Sequence, residues 1–70
     1  MEARAGYTYR IICEGEEVEH FNVVRVHGRR IYFAVTAYSC LRWQTTRLRW
    51  RKMIELLERG GATVTEEATP

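Results

Sequence analysis

The apolar residues of this chain change their period once, from two to about 3.6, and that switch limits the folds open to it. Tyr7, Tyr9, Ile11 and Cys13 alternate with Thr8, Arg10, Ile12 and Glu14, the pattern of a strand with one buried face. A turn follows at Glu14 to Glu17 around Gly15. Val18 to His27 is rich in β-branched residues, and after Gly28 the segment Ile31 to Val35 alternates again. If Gly28 and Arg29 are the central turn residues, Gly28 supplies the positive φ of a type II′ hairpin turn. His27 then faces Arg30, Val26 faces Ile31, Arg25 faces Tyr32, Val24 faces Phe33 and Val23 faces Ala34. That register turns Asn22 inward and Phe21 outward, a conflict that a bulge would resolve.

From about Ser39 the spacing is helical. Trp43, Trp50, Met53, Ile54 and Leu57 fall in one sector at 100° per residue, so the pattern predicts an amphipathic helix over about 38 to 59. Thr36 or Ser39 can cap its start, and Arg59 followed by Gly60 and Gly61 reads as its end. Leu41, Leu48 and Leu56 lie outside the buried sector and are expected to be exposed. Glu55 and Arg59 make a favourable i,i+4 pair.

The expected fold is α+β: a three-stranded antiparallel meander followed by one C-terminal helix packed on one sheet face (β-β-β-α), without the crossover of a βαβ unit. Seventy residues allow a single domain, 1–70, with an ordered core over about 7–60. Residues 62–70, with Val64 as their one apolar anchor, read as a flexible tail or a short edge strand. The other sheet face stays open and is expected to show Thr8, Arg10, Ile12, Val23, Arg25, His27, Arg30 and Tyr32.

Charge is strongly segregated. Residues 25 to 52 carry eight basic side chains (Arg25, Arg29, Arg30, Arg42, Arg47, Arg49, Arg51 and Lys52) and no acid, while each flank has a net charge of −3, so the formal +2 hides a +8 block. All nine acids are Glu, and ten of the eleven basic residues are Arg, which suits planar recognition of phosphate and carboxylate.

Catalytic and metal chemistry find little footing. Cys13, His20, His27 and Cys40 lack the close ligand spacing that zinc sites use, and the register separates Cys13 from His27 across the sheet. Both cysteines read as buried thiols. A nucleophilic Cys or Ser would need a base, an orienting group and an enclosed pocket, which one sheet and one helix hardly provide. No enzyme, metal or cofactor is therefore expected. No apolar run nears the roughly 20 residues of a membrane span, and MEARAG lacks the apolar region of a secretory signal, so the expected location is the cytoplasm.

Two binding surfaces remain. On the helix, Arg42, Arg49 and Lys52 form a stripe that Leu41, Leu48 and an edge-placed Trp43 supplement, a mixture that fits a protein partner. On the open sheet face and its turn, Arg10, Arg25, His27, Arg29, Arg30 and Tyr32 form a cationic cluster around a ring, which fits phosphates and bases.

In element order, residues 7 to 59 resemble the sheet-reading DNA-binding modules of arm-binding integrases and of the plant AP2 class, whose open sheet face enters the major groove. That resemblance implies nucleic-acid contact by Arg10, Arg25, Arg30 and Tyr32. In size and kind, with the Arg42 to Lys52 stripe and the Leu41/Leu48 strip, the chain also resembles phage-encoded accessory proteins that bind host RNA polymerase. This second resemblance implies a non-enzymatic transcription regulator working by protein contact in the host cytoplasm. It also accommodates the acidic flanks, which would repel a phosphate lattice.

Overall fold

The structure, a computed structural model, describes residues 1–35 and 43–70. Among these residues five strands and a helix follow in the order β1 (Tyr7–Cys13), β2 (Glu16–His27), β3 (Arg30–Ala34), β4 (Trp43–Thr46), α1 (Arg47–Arg59) and β5 (Thr63–Ala68). The strands form one sheet, β4-β3-β2-β1-β5, in which every neighbouring pair is antiparallel. The expected β1-β2-β3 meander and the helix after it are present, and a strand is added at each edge.

Antiparallel pairing throughout makes β4 and β5 run in the same direction on opposite edges. α1 joins them, so the connection is a crossover spanning the whole sheet, contrary to the β-β-β-α expectation. The lengths agree: thirteen helical residues cover about 20 Å, and four inter-strand steps cover about 19 Å.

Both hairpin turns follow from glycine. Gly28 has φ +59 between the paired residues His27 and Arg30, while Arg29 keeps a negative φ, the pattern of a type II′ turn. Between β1 and β2 both central residues are left-handed, Glu14 at φ 52 and Gly15 at φ 81, as a type I′ turn requires.

The β2–β3 register agrees with the sequence from His27 to Arg25 and then shifts. Val23 pairs with Phe33 and Asn22 with Ala34, leaving Val24 as the bulged residue. Val24 is exposed while Val23 is buried, which corrects the expected Val24–Phe33 and Val23–Ala34 pairs and removes Val23 from the open face. The bulge also resolves the Phe21 conflict by turning that ring into the core. A second shift between Ile11 and Ile12 leaves Val18 outside the pairing and exposed.

The helix begins later than the spacing predicts, at Arg47 rather than near 38. Trp43 to Thr46 form an edge strand instead, with Phe33 opposite Trp43 and Tyr32 opposite Gln44. Aromatic and β-branched residues favour that state. Thr46 ends β4 in an extended conformation and caps α1, its hydroxyl accepting from the Arg49 N–H at 3.1 Å. The caps expected at Thr36 and Ser39 lie outside the described residues. At the other end Ala62 N–H donates to Leu57 and Gly61 N–H to Glu58, with Gly61 at φ +93, which is a Schellman stop. Residues 63–68 are the edge strand β5, paired along β1 from Tyr7–Ala68 to Ile12–Thr63, rather than a loose tail.

The core lies between sheet and helix. Trp50 is 1 % exposed and meets Tyr9 edge-on at 4.9 Å and Phe21 at 6.0 Å, while Phe21 stacks edge-on with Phe33. Ile54, Val23, Ile31 and Ala3 complete it. Ala3 belongs to residues 1–6, which close one side of the helix. Arg4 N–H donates to the Tyr9 hydroxyl at 2.7 Å, and that hydroxyl donates to Glu66 Oε2 at 2.7 Å, so one buried oxygen ties the N-terminal arm, β1 and β5 together. Burial, and then the bond to the Glu66 carboxylate, push the Tyr9 hydroxyl well above its ordinary pKa.

Candidate interaction surface

The face of the sheet away from α1 divides into two electrostatic halves. On the β1–β5 side Arg10 donates to Glu17 and Glu67, each at 2.6 Å, and Glu17 also lies 3.5 Å from His20. Those bonds to Glu17 and Glu67 raise the Arg10 pKa, and the guanidinium holds the Glu17 carboxyl below its usual range. Beside this network Thr8, though on the open face, is buried and hydrogen-bonded to Asn22 Oδ1 and the Thr69 hydroxyl. Arg10 is thus committed to internal pairs, which removes it from the expected nucleic-acid cluster.

The β2–β3 half keeps its cations. The Arg25 guanidinium sits 6.0 Å from the centre of the Tyr32 ring and donates to His27 Nδ1 at 3.3 Å. Arg25, His27 and Arg30 are exposed on this half and Arg29 projects from the turn. Of the six residues expected to contact nucleic acid, five therefore stay together at the hairpin end.

The sequence places the hairpin cations and the helix cations on separate surfaces, yet at one corner they meet. Arg47 N–H donates to the Arg29 carbonyl at 2.9 Å, and Arg47 Nε donates to the Gly28 carbonyl at 2.8 Å. A cleft of about 490 Å³ opens there between Arg29, Thr46, Arg47, Leu48 and Arg51. Glu2 from the N-terminal arm answers part of its charge, 3.8 Å from Arg47 and 3.5 Å from Arg51. Two of the amides at the helix start, those of Arg47 and Arg49, are already taken by Arg29 and Thr46. The corner is thus a poor phosphate cradle.

Of the residues expected to contact a protein partner, Leu41 and Arg42 lie outside the described residues. Trp43 is 52 % exposed, on β4 instead of a helix, and Leu48 is also exposed. Arg49 and Lys52 are exposed on α1 and line a groove with Met53, Leu56 and Leu57. Leu48 opens into the cleft by Arg29 instead, so the expected stripe divides between two depressions. Met53 and Leu57, which the spacing places on the core side, are each half-buried, with one side available to the groove. The role of Arg47 and Arg51 beside the turn depends on tertiary contact, and only their i,i+4 spacing hinted at it.

Among the described residues no carboxylate lies within ion-pair distance of Arg25, Arg29, Arg30, Arg49 or Lys52. No group of three His, Cys, Asp or Glu side chains converges as a metal would require, again among the described residues. Cys13 is a half-buried thiol, and Cys40 lies outside the described residues. No described helix is long and apolar enough to cross a membrane. No family model, curated protein or solved structure matches the chain.

Proposed function

We propose that this chain is a small non-enzymatic binding protein that regulates transcription by contacting RNA polymerase, or another nucleic-acid-processing machine, through its cationic and apolar helix surface. The observation that carries the reading is the mixture on α1 and β4. Arg49 and Lys52 have no counter-ion among the described residues, with exposed Leu56 beside them on α1 and exposed Leu48 and Trp43 elsewhere on α1 and β4. Cations interspersed with large apolar side chains suit a protein surface, since anchors of that kind gain from desolvation that a phosphate backbone does not offer. The internal pairing of Arg10 supports the same choice, because it leaves acids across one half of the sheet face. The polymerase as partner rests on the resemblance in size and kind to phage-encoded regulators.

The test is binding of the nuclease-treated RNA polymerase of the cell in which the protein is made, measured on immobilised protein. Arg49→Glu with Lys52→Glu should abolish binding, and Arg25→Glu with Arg30→Glu should leave it intact. The rival, direct nucleic-acid binding by Arg25, Arg30 and Tyr32, predicts the reverse order. It also predicts that affinity for duplex DNA falls with salt at a log-log slope of about −0.9 per phosphate neutralised. Tight, steeply salt-dependent DNA binding without polymerase binding would replace the protein reading.

A further inference from the structure

Among the described residues the two long flanks of α1 differ in what covers them. On one flank Glu2 reaches Arg47 and Arg51, and Met1 shares a cleft with Arg51, Ile54 and Glu58. On the other, Arg49, Lys52, Met53 and Leu56 follow the i, i+3, i+4, i+7 spacing of a single stripe. With Leu57 they line a shallow, open apolar groove of about 440 Å³ along the surface of α1, and Leu56 on its wall is 65 % exposed. The stems of Arg49 and Lys52 extend the apolar lining while their charged heads rim it.

We infer that this groove docks an acidic amphipathic segment of a protein partner, with aliphatic side chains entering between Met53, Leu56 and Leu57 and carboxylates meeting Arg49 and Lys52. The inference rests on the reading that the chain binds protein, and adds to it the chemistry of the segment recognised. Charge complementarity selects the occupant: the rim is cationic, its two cations have no carboxylate among the described residues, and the floor is apolar. Nucleic acid would leave the floor unused. A second copy fits badly as well, because in a two-fold interface centred on the groove each copy would offer only the same lining, Arg49, Lys52, Met53, Leu56 and Leu57, with no carboxylate to answer the cations.

The probe is a short labelled helical peptide with leucines at i, i+3 and i+7 separated by glutamates, followed by fluorescence anisotropy. Two controls accompany it, the same leucines separated by lysines, and polyglutamate. The acidic leucine peptide should bind the wild-type protein, and Leu56→Asp, or Arg49→Glu with Lys52→Glu, should each weaken it by roughly tenfold or more. All three sites are exposed, and a thermal melt of each variant verifies that the fold survives. Arg25→Glu with Arg30→Glu should leave peptide binding unchanged. Equal binding of the lysine peptide or of polyglutamate would overturn the inference, as would full binding by folded Leu56→Asp. Sedimentation showing a dimer that Leu56→Asp dissolves would overturn it in favour of self-association. Polymerase binding that survives Leu56→Asp would remove the groove and leave the proposed function standing. Groove-dependent peptide binding without polymerase binding would do the opposite.

Discussion

Tyr9→Phe removes one oxygen from the interior and should be felt across three parts of the fold. The Tyr9 side chain is fully buried; its hydroxyl accepts from Arg4 N–H and donates to the Glu66 carboxylate, both at 2.7 Å. A hydrogen bond to a charged group contributes about 1.5–3 kcal/mol, and Glu66 is partly exposed and can recover some of it from water. The expected loss is therefore about 2 kcal/mol at neutral pH. For seventy residues a total stability of about 4–10 kcal/mol is usual, so the variant should still fold. At about 4–8 °C per kcal/mol for a domain of this size, its melting temperature should drop by about 8–16 °C.

The pH dependence separates the hydroxyl from mere packing. Folding raises the Tyr9 pKa above the unfolded value near 10, so the native state holds this proton after the unfolded chain has released it. Stability from the neutral hydroxyl is complete below about pH 10 and declines above it by about 1.4 kcal/mol per pH unit. The phenylalanine variant lacks this decline, and because the two proteins share every other side chain the comparison isolates this one. Chemical denaturation at pH 7 and pH 11 should show the gap between the two proteins narrowing by about half or more. A gap that stays constant, or a variant as stable as wild type at pH 7, would refute the assignment of Tyr9 as the pin between arm, β1 and β5.

Trp50→Ala should cost about 3–5 kcal/mol, which at about 4–8 °C per kcal/mol lowers the melting temperature by about 12 °C or more. A cooperative melt at the wild-type temperature would contradict the core described above. Glu14 occupies a left-handed position that a type I′ turn prefers to fill with Asn, so Glu14→Asn should stabilise by about 0.5–1 kcal/mol, read as a higher denaturation midpoint; a lower midpoint would count against the turn assignment. Arg49→Glu exchanges a cation for an acid in the first helical turn and should raise stability by about 1 kcal/mol, measured by urea denaturation at low salt. Unchanged or reduced stability would mean that Arg49 holds a stabilising contact within the fold.

Local chemistry made part of this fold legible. The Gly28 turn, the Gly60–Gly61 stop, the Glu55–Arg59 pair, formed at 2.6 Å, and Trp50 at the core each depend on residues close in sequence. What stayed hidden depends on distant partners. Two adjacent valines satisfy a strand pattern with either one buried, and only the pairing across β3 selects Val23. Trp43 is seven residues before Trp50, which is helical spacing, but pairing with Phe33 draws it into a strand. β5 has little apolar signal because an edge strand can be held by its backbone ladder, and the Tyr9–Glu66 bond joins positions 57 apart. The same holds for the surface. Arg49 and Lys52 were readable as one exposed stripe, whereas the loss of Arg10 to Glu67 required the β1–β5 pairing.

The helix start gives these cations their meaning. A helix N-terminus carries a partial positive charge, and acids in its first turn normally stabilise it by about 0.3–1 kcal/mol each. α1 has none there; Arg47 and Arg49 occupy the turn instead. Arg47 has compensation, since it holds the Gly28 carbonyl and lies beside Glu2. Arg49 has no carboxylate partner among the described residues, so its side chain opposes the dipole without a visible return in ion pairing. On the proposed function, a residue that weakens its own helix while projecting into solvent serves an interaction outside the chain. If that is correct, Arg49→Glu should separate two properties that usually fall together, making the protein harder to unfold and less able to bind. A variant that gains stability and keeps full affinity for polymerase and for the acidic peptide would show that the charge at Arg49 serves neither.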